Sequence, residues 1–156
     1  MLVIILWPLI YRRDIFSLLN SSISEVWLTG HSLGGSILTL ASADIKFNFP
    51  FIDVINYSYA SPKVGDMDFV NGYEKLNIIT NRIQNYWDII PRLPFEILDY
   101  YHVKTLILLE QNNINNSISC IYNSLFPNDN IYINPFNWLY QHEILTYIEL
   151  IRKCKN

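Results

Sequence analysis

The sequence predicts an α/β domain: a mainly parallel sheet with helices on its faces. Runs of β-branched and aromatic residues alternate with segments whose apolar residues recur at three- and four-residue steps, the order of strand–helix–strand units. One junction, "VWLTGHSLGG" from Val26 to Gly35, sets three of the chain's five glycines around a single serine. With 156 residues, 51% hydrophobic and 16% charged, the chain has apolar surface enough for one core. It shows neither internal repeat nor linker, so residues 1–156 read as one domain.

The opening "MLVIILWPLIY" is apolar but shorter than the roughly 20 residues a membrane helix needs. It lacks a basic leader and a small-residue cleavage site before Arg12-Arg13, so it reads as the start of a buried strand or helix. The compartment stays open. Arg12 to Ser22 reads as a helix with Ile15, Leu18 and Leu19 inward, ended by the polar "NSS". "EVWLT" is a strand, and "GSILTLASADIKF" a helix with Leu33, Ile37, Leu40, Ala41 and Ile45 on one apolar face. "DVINYSYA", Asp53 to Ala60, is a second strand, stopped by Pro62 and Gly65 in "SPKVGD".

"LNIITNRIQ", Leu76 to Gln84, is the third strand, closed by "NYWDIIPRLP"; "VKTLILLE", Val103 to Glu110, is the fourth. "QNNINNSIS" is a polar loop, and Cys120 to Asn134 is irregular with strand fragments. In the closing "HEILTYIELIRK", Ile144, Leu145, Ile148 and Ile151 form a helical stripe of the kind that faces a core.

Net charge is −3, and no basic cluster exceeds Arg12-Arg13 before the C-terminal tail, which argues against a nucleic-acid partner. Cys120 and Cys154 are too few for a disulfide framework and lack metal-ligand spacing; their pairing is left open. No metal or cofactor motif is visible. Oligomeric state is not encoded in any feature of the sequence.

The serine of Gly30-His31-Ser32-Leu33-Gly34 is the candidate nucleophile. A sharp strand-to-helix turn strains its backbone and pushes its hydroxyl out above the sheet, and Gly30 and Gly34 are expected to remove Cβ atoms that would collide. The competing reading is an ordinary serine in a glycine-rich turn. A neutral hydroxyl needs a base, and the base an orienting carboxylate. Of three histidines, His31 adjoins Ser32, where neighbouring side chains diverge. His102 precedes a strand and, if that strand runs parallel, should lie at the far end of the sheet; it is the second choice of base, its competing reading a half-buried histidine capping a strand. His142 precedes the last helix in a segment able to fold over the sheet edge, and is the expected base. Asp88 follows the third strand at the carboxyl rim and is the expected acid, with Asp66 the runner-up.

These segments resemble the class 3, fungal-lipase-like family of the α/β-hydrolase superfamily. "VWLTGHSLGGSILTLAS" resembles its elbow, "YASPKVGD" its Ser-Pro-basic-Val-Gly motif, "NRIQNYWDIIPRLP" its acid loop, "YHVKTLILLE" the next strand and "HEILTYIELI" its histidine segment. The resemblance runs from about Val26 to the end. It implies an α/β-hydrolase-type fold and hydrolysis of acylglycerol-type esters through an acyl-enzyme, without cofactor or metal. Carried over residue by residue, it makes Ser32 nucleophile, His142 base and Asp88 its partner, with the Leu33 backbone N–H an oxyanion donor. It also implies a lipid or ester substrate and transient contact with a lipid surface.

The family draws its second oxyanion donor and its lid from upstream of the elbow. Only Met1 to Thr29 precede Gly30, and "MLVIILWPLIYRRD" carries no small-polar oxyanion turn. The expectation is therefore a partial domain lacking the N-terminal strands. The alternative function is a weakly active or non-catalytic remnant, or interaction domain, without a complete oxyanion hole.

Overall fold

The computed structural model describes residues 12–103, 105–111, 118–122 and 138–154. The expectations placed on "MLVIILWPLIY", on residues 112–117 and on most of the stretch from Cys120 to Asn134 lie outside them. Helix α1 (Arg12–Leu18) leads to β1 (Glu25–His31), α2 (Leu33–Asn48), β2 (Asp53–Tyr59), α3 (Met67–Glu74) and β3 (Ile79–Asn85). Two 3₁₀ turns, Ile90–Arg92 and Glu96–Leu98, precede β4 (Leu106–Gln111), β5 (Ile118–Tyr122), α4 (Trp138–His142) and α5 (Ile144–Lys153).

Strands β1 to β4 lie side by side in chain order and parallel; β5 adds an antiparallel edge. The register pairs His31 with Tyr59, Tyr59 with Ile83 and Asn85 with Leu109, so the carboxyl ends of β1, β2 and β3 open on one rim. Such a rim is where open parallel sheets gather their chemistry.

Alternation along the strands assigns the two faces. Val26, Leu28 and Val54 pack with Ile45, Ile52 and the α1 residues Ile15 and Phe16 on one face. On the other, Ala60, Ile83 and Leu109 pack with Tyr147 and Leu150 of α5. Arg12 ties α1 to α2 through Asp44, with its Nε 2.5 Å from Oδ2. Cys154, which packs against the α5 cluster, is disulfide-bonded.

Five sequence expectations need correction. Helix α1 ends at Leu18, which is 71% exposed, while Phe16 turns inward and stacks edge-on with Phe49. Leu33 is exposed, and the buried face of α2 is Gly35, Leu38, Thr39, Ser42 and Ile45 with Ser36 and Ala41 beside them. Its hydroxyls are satisfied internally, Thr39 donating to the Gly35 carbonyl at 2.9 Å and Ser42 to that of Leu38 at 2.7 Å, so polar residues can face the sheet. The α5 stripe also points away from the core: Leu145 is 70% exposed, and the buried positions are Thr146, Tyr147 and Leu150. Finally, β3 and β4 start three residues later than their apolar runs, because Asn77 and Thr105 take positive φ of 53° and 70° and break the extended path. Ile118 and Ser119, read as loop, pair in β5.

Candidate active site

Strand β1 delivers Ser32 to the carboxyl rim, where one residue must turn the chain from strand into helix. Ser32 takes φ 57° and ψ −128°, a region that L side chains avoid. The conformation is held by its own N–H donating to the Tyr59 carbonyl (2.9 Å) and its carbonyl accepting from Gly35 (2.8 Å). A Cβ on Gly30 would lie 2.6 Å from Leu38 Cδ2 and 2.7 Å from the Gly34 carbonyl, so the strand and helix can close only on glycine. Gly34 does not share that role, because a Cβ there would meet nothing within 4 Å. The second tight approach belongs to Gly35, where a Cβ would sit 2.7 Å from Ser61 Cβ. Leu33 opens α2, so its N–H has no acceptor within its own helix and points out at the rim.

Three side chains from three distant parts of the chain meet above this turn. His142 Nε2 lies 2.7 Å from Ser32 Oγ, and His142 Nδ1 lies 2.9 Å from Asp88 Oδ2. A carboxylate can only accept, so Nδ1 carries the proton and Nε2 presents its lone pair to the serine hydroxyl. Asp88 is 1% exposed, yet both of its carboxylate oxygens accept from protein donors. Oδ1 accepts from the Ile90 N–H (2.9 Å) and Oδ2 from both His142 and the Tyr147 hydroxyl (2.8 Å). Pro91, within the 3₁₀ turn Ile90–Arg92, stiffens this loop. Such an arrangement can move a proton from Ser32 to His142 while the carboxylate stabilises the resulting imidazolium.

The other candidates lie elsewhere. Asp66 caps α3, accepting from the Phe69 N–H at 2.8 Å. His102 is not at the far end of the sheet; it packs under the acid loop, its Nε2 donating to the Pro91 carbonyl at 2.6 Å. Burial, and then the charge of Arg82, hold its pKa well below the usual histidine value, and it makes no bond to Ser32. The His31 ring lies 4.8 Å from that of His142.

Tyr147 was missed by sequence reasoning. Fully buried on α5, its hydroxyl accepts from the Asn85 N–H (2.9 Å) and donates to Asp88. Burial, reinforced by the Asp88 charge, pushes its pKa well above the ordinary tyrosine value, so it stays a proton donor. Its place five residues after His142, at the flank of the apolar stripe, was the available signal.

Beside Leu33 the surface opens into a mainly apolar cavity of about 330 Å³. Leu33 and Leu40 of α2, Pro62 and Val64 of the β2–α3 turn, and Ile90 and Leu93 of the acid loop line it.

The family model described as lipase (class 3) matches residues 11–98, more than half of the chain. The chain belongs to the class 3 lipase family. Among curated members, phospholipase A(1) DAD1, chloroplastic, of Arabidopsis thaliana is 40% identical over 94 residues, 56% of this chain and 21% of that protein. Secreted mono- and diacylglycerol lipase 1 of Fusarium solani is 41% identical over 76 residues, 48% of this chain and 22% of that protein. The match thus spans about a fifth of these relatives' length. Among solved structures, the native Rhizomucor miehei lipase propeptide complex superposes with a TM-score of 0.62 at 25% identity, covering 84% of this chain and 42% of that one. The mono- and diacylglycerol lipase of Aspergillus oryzae has a TM-score of 0.64 at 23% identity, covering 90% of this chain and 53% of that one. The shared architecture is the α/β-hydrolase fold of the family's lipases.

Proposed function

We propose that the chain carries the catalytic triad of a serine ester hydrolase acting on acylglycerol-type lipid esters. What carries this reading is the unbroken series from Ser32 Oγ through His142 to the buried Asp88, with the serine on a strained turn at a helix N-terminus. Ser32 Oγ attacks the ester carbonyl as His142 Nε2 takes its proton. The tetrahedral oxyanion receives the Leu33 N–H, and His142 returns the proton to the departing alcohol, leaving Ser32 acylated. Water, deprotonated by the same imidazole, then releases the acid and restores Ser32. The apolar cavity beside Leu33 suits the acyl chain, and the similarity to a phospholipase and to mono- and diacylglycerol lipases supports a glycerolipid substrate.

A fluorophosphonate probe should label Ser32, and Ser32→Ala should abolish labelling with the fold intact. His142→Ala should lower hydrolysis of a short p-nitrophenyl ester by about a thousandfold or more, whereas His102→Ala should cost far less. Labelling that persists in Ser32→Ala removes the assignment. A folded chain that is neither labelled nor active supports the alternative, a non-catalytic remnant.

A further inference from the structure

The base sits on α4, a helix of five residues, which is too short to hold its own shape. The last four carbonyls of any helix lack partners within it, so something outside α4 must satisfy them. The Glu143 N–H donates to the carbonyls of Leu139 (3.1 Å) and Tyr140 (3.2 Å), and Thr146 Oγ1 also donates to Tyr140 (2.7 Å). The next two carbonyls are those of Gln141 and His142 itself. Asn85 Nδ2, from the end of β3, donates to the Gln141 carbonyl at 3.0 Å and to its Oε1 at 2.7 Å. His31 Nε2, from the end of β1, donates to the His142 carbonyl at 2.7 Å.

We propose that His31 and Asn85 are positioning residues, a two-point clamp in which side chains from two strand ends grip consecutive backbone carbonyls at the base and hold the His142 ring between Ser32 and Asp88. The proposal rests on the hydrolase reading for its kinetic consequence and on the geometry alone for its structural one.

The clamp is itself fixed. Asn85 Oδ1 accepts from the Trp87 N–H at 3.2 Å, which orients the amide so that Nδ2 faces α4. The His31 ring meets Tyr147 edge-on, with centroids 5.8 Å apart, a contact that favours its orientation toward the carbonyl. Carbonyls only accept, so the His31 tautomer must carry its proton on Nε2. Burial lowers the His31 pKa below its usual value and outweighs the raising effect of the bond to the His142 carbonyl. A neutral His31 puts no like charge against the imidazolium that forms on His142. This also explains a motif residue that the triad leaves unused: His31 cannot serve Ser32, but from the same strand end it reaches the backbone of the residue that does.

The test compares His31→Phe, which removes the donor but keeps a ring, with His31→Gln, whose amide N–H reaches the same distance. Two readouts are taken on protein whose folding is verified by near-UV circular dichroism. One is the downfield proton resonance of His142 Nδ1–H shared with Asp88; the other is acylation of Ser32 by fluorophosphonate, together with kcat and KM for a p-nitrophenyl ester. In His31→Phe the resonance should broaden or vanish, and kcat and acylation should fall about 10- to 100-fold with KM within about twofold, as expected for a misplaced base. His31→Gln should restore the resonance and bring the rates to within about threefold of the parent. Should His31→Phe not fold, His31→Asn, too short to reach, should give the same loss.

The proposal is overturned if the parent lacks the resonance, if His31→Phe keeps both resonance and rate, or if His31→Gln is as impaired as His31→Phe. A resonance that depends on the His31 donor in a chain whose Ser32 is never acylated would uphold the clamp while removing the hydrolase reading.

Discussion

A carboxylate can be kept ionised under a protein surface only if its lone pairs are met by donors. At Asp88 the donors are a backbone N–H, an imidazole and the Tyr147 hydroxyl. Tyr147 binds two otherwise orphaned groups at once, so removing its oxygen leaves both the Asn85 N–H and part of Asp88 unmatched. Tyr147→Phe is therefore expected to destabilise the fold by about 1–3 kcal/mol per group left unsatisfied. The check is the urea midpoint together with ester kinetics. The kcat should drop while KM holds, because the phenol touches the carboxylate and not the substrate cavity. A variant as stable and active as the parent would show that water replaces the hydroxyl.

At the scale of elements, close approach rather than apolar periodicity decides how α2 and α5 sit. Gly35→Ala forces a methyl to within 2.7 Å of Ser61 Cβ on the β2–α3 turn. Overpacking of this kind costs about 1–3 kcal/mol. Gly34→Ala, one residue earlier, meets open space and should be neutral or gain up to about 1 kcal/mol from helix propensity. Thermal melts of the two variants should move apart, and equal shifts would contradict the packing described. On α5, Leu150→Ala should cost about 2–4 kcal/mol by opening a cavity under Tyr147 and Ile83. Leu145→Ala, at a position 70% exposed, should stay within about 0.5 kcal/mol. Chemical denaturation separates these outcomes, and the reverse ranking would mean that the apolar stripe is the buried face after all.

The whole molecule has a pH dependence set by His102. Folded, its pKa lies well below the ordinary histidine value; unfolded, it takes up a proton near pH 6.5. Below that pH the unfolded chain holds the extra proton, so stability is full at neutral pH and declines as pH falls through the unfolded pKa. His31, also lowered, contributes with the same sign. Between pH 7 and 5 His102 steepens the fall in unfolding free energy toward about 1.4 kcal/mol per pH unit. His102→Gln keeps a donor for the Pro91 carbonyl and removes the titration, so its urea midpoint should vary less with pH than the parent's. Parallel curves would mean that His102 protonates freely in the native state.

By itself the sequence determined the alternation of strand and helix, with the mainly parallel sheet it implies, and the turn that strains Ser32. Those are local matters: β-branched runs, glycine spacing and the φ that proline fixes act within a few residues. It also singled out Asp88 and His142 as candidates, because rim position and chain order can be counted along a chain. Tertiary structure alone decided which helix face is buried. In α2 the hydroxyls of Thr39 and Ser42 satisfy themselves on backbone carbonyls and so pass as core, and in α5 Tyr147 outweighs a longer apolar stripe because its hydroxyl has two buried partners waiting. Structure likewise moved the close-packing role from Gly34 to Gly35 and carried His102 under the acid loop. The contacts of Asp88 with His142 and Tyr147, and the grip of His31 and Asn85 on α4, join residues more than fifty positions apart. Pairings of that range depend on how layers stack, and no periodicity within one segment encodes them.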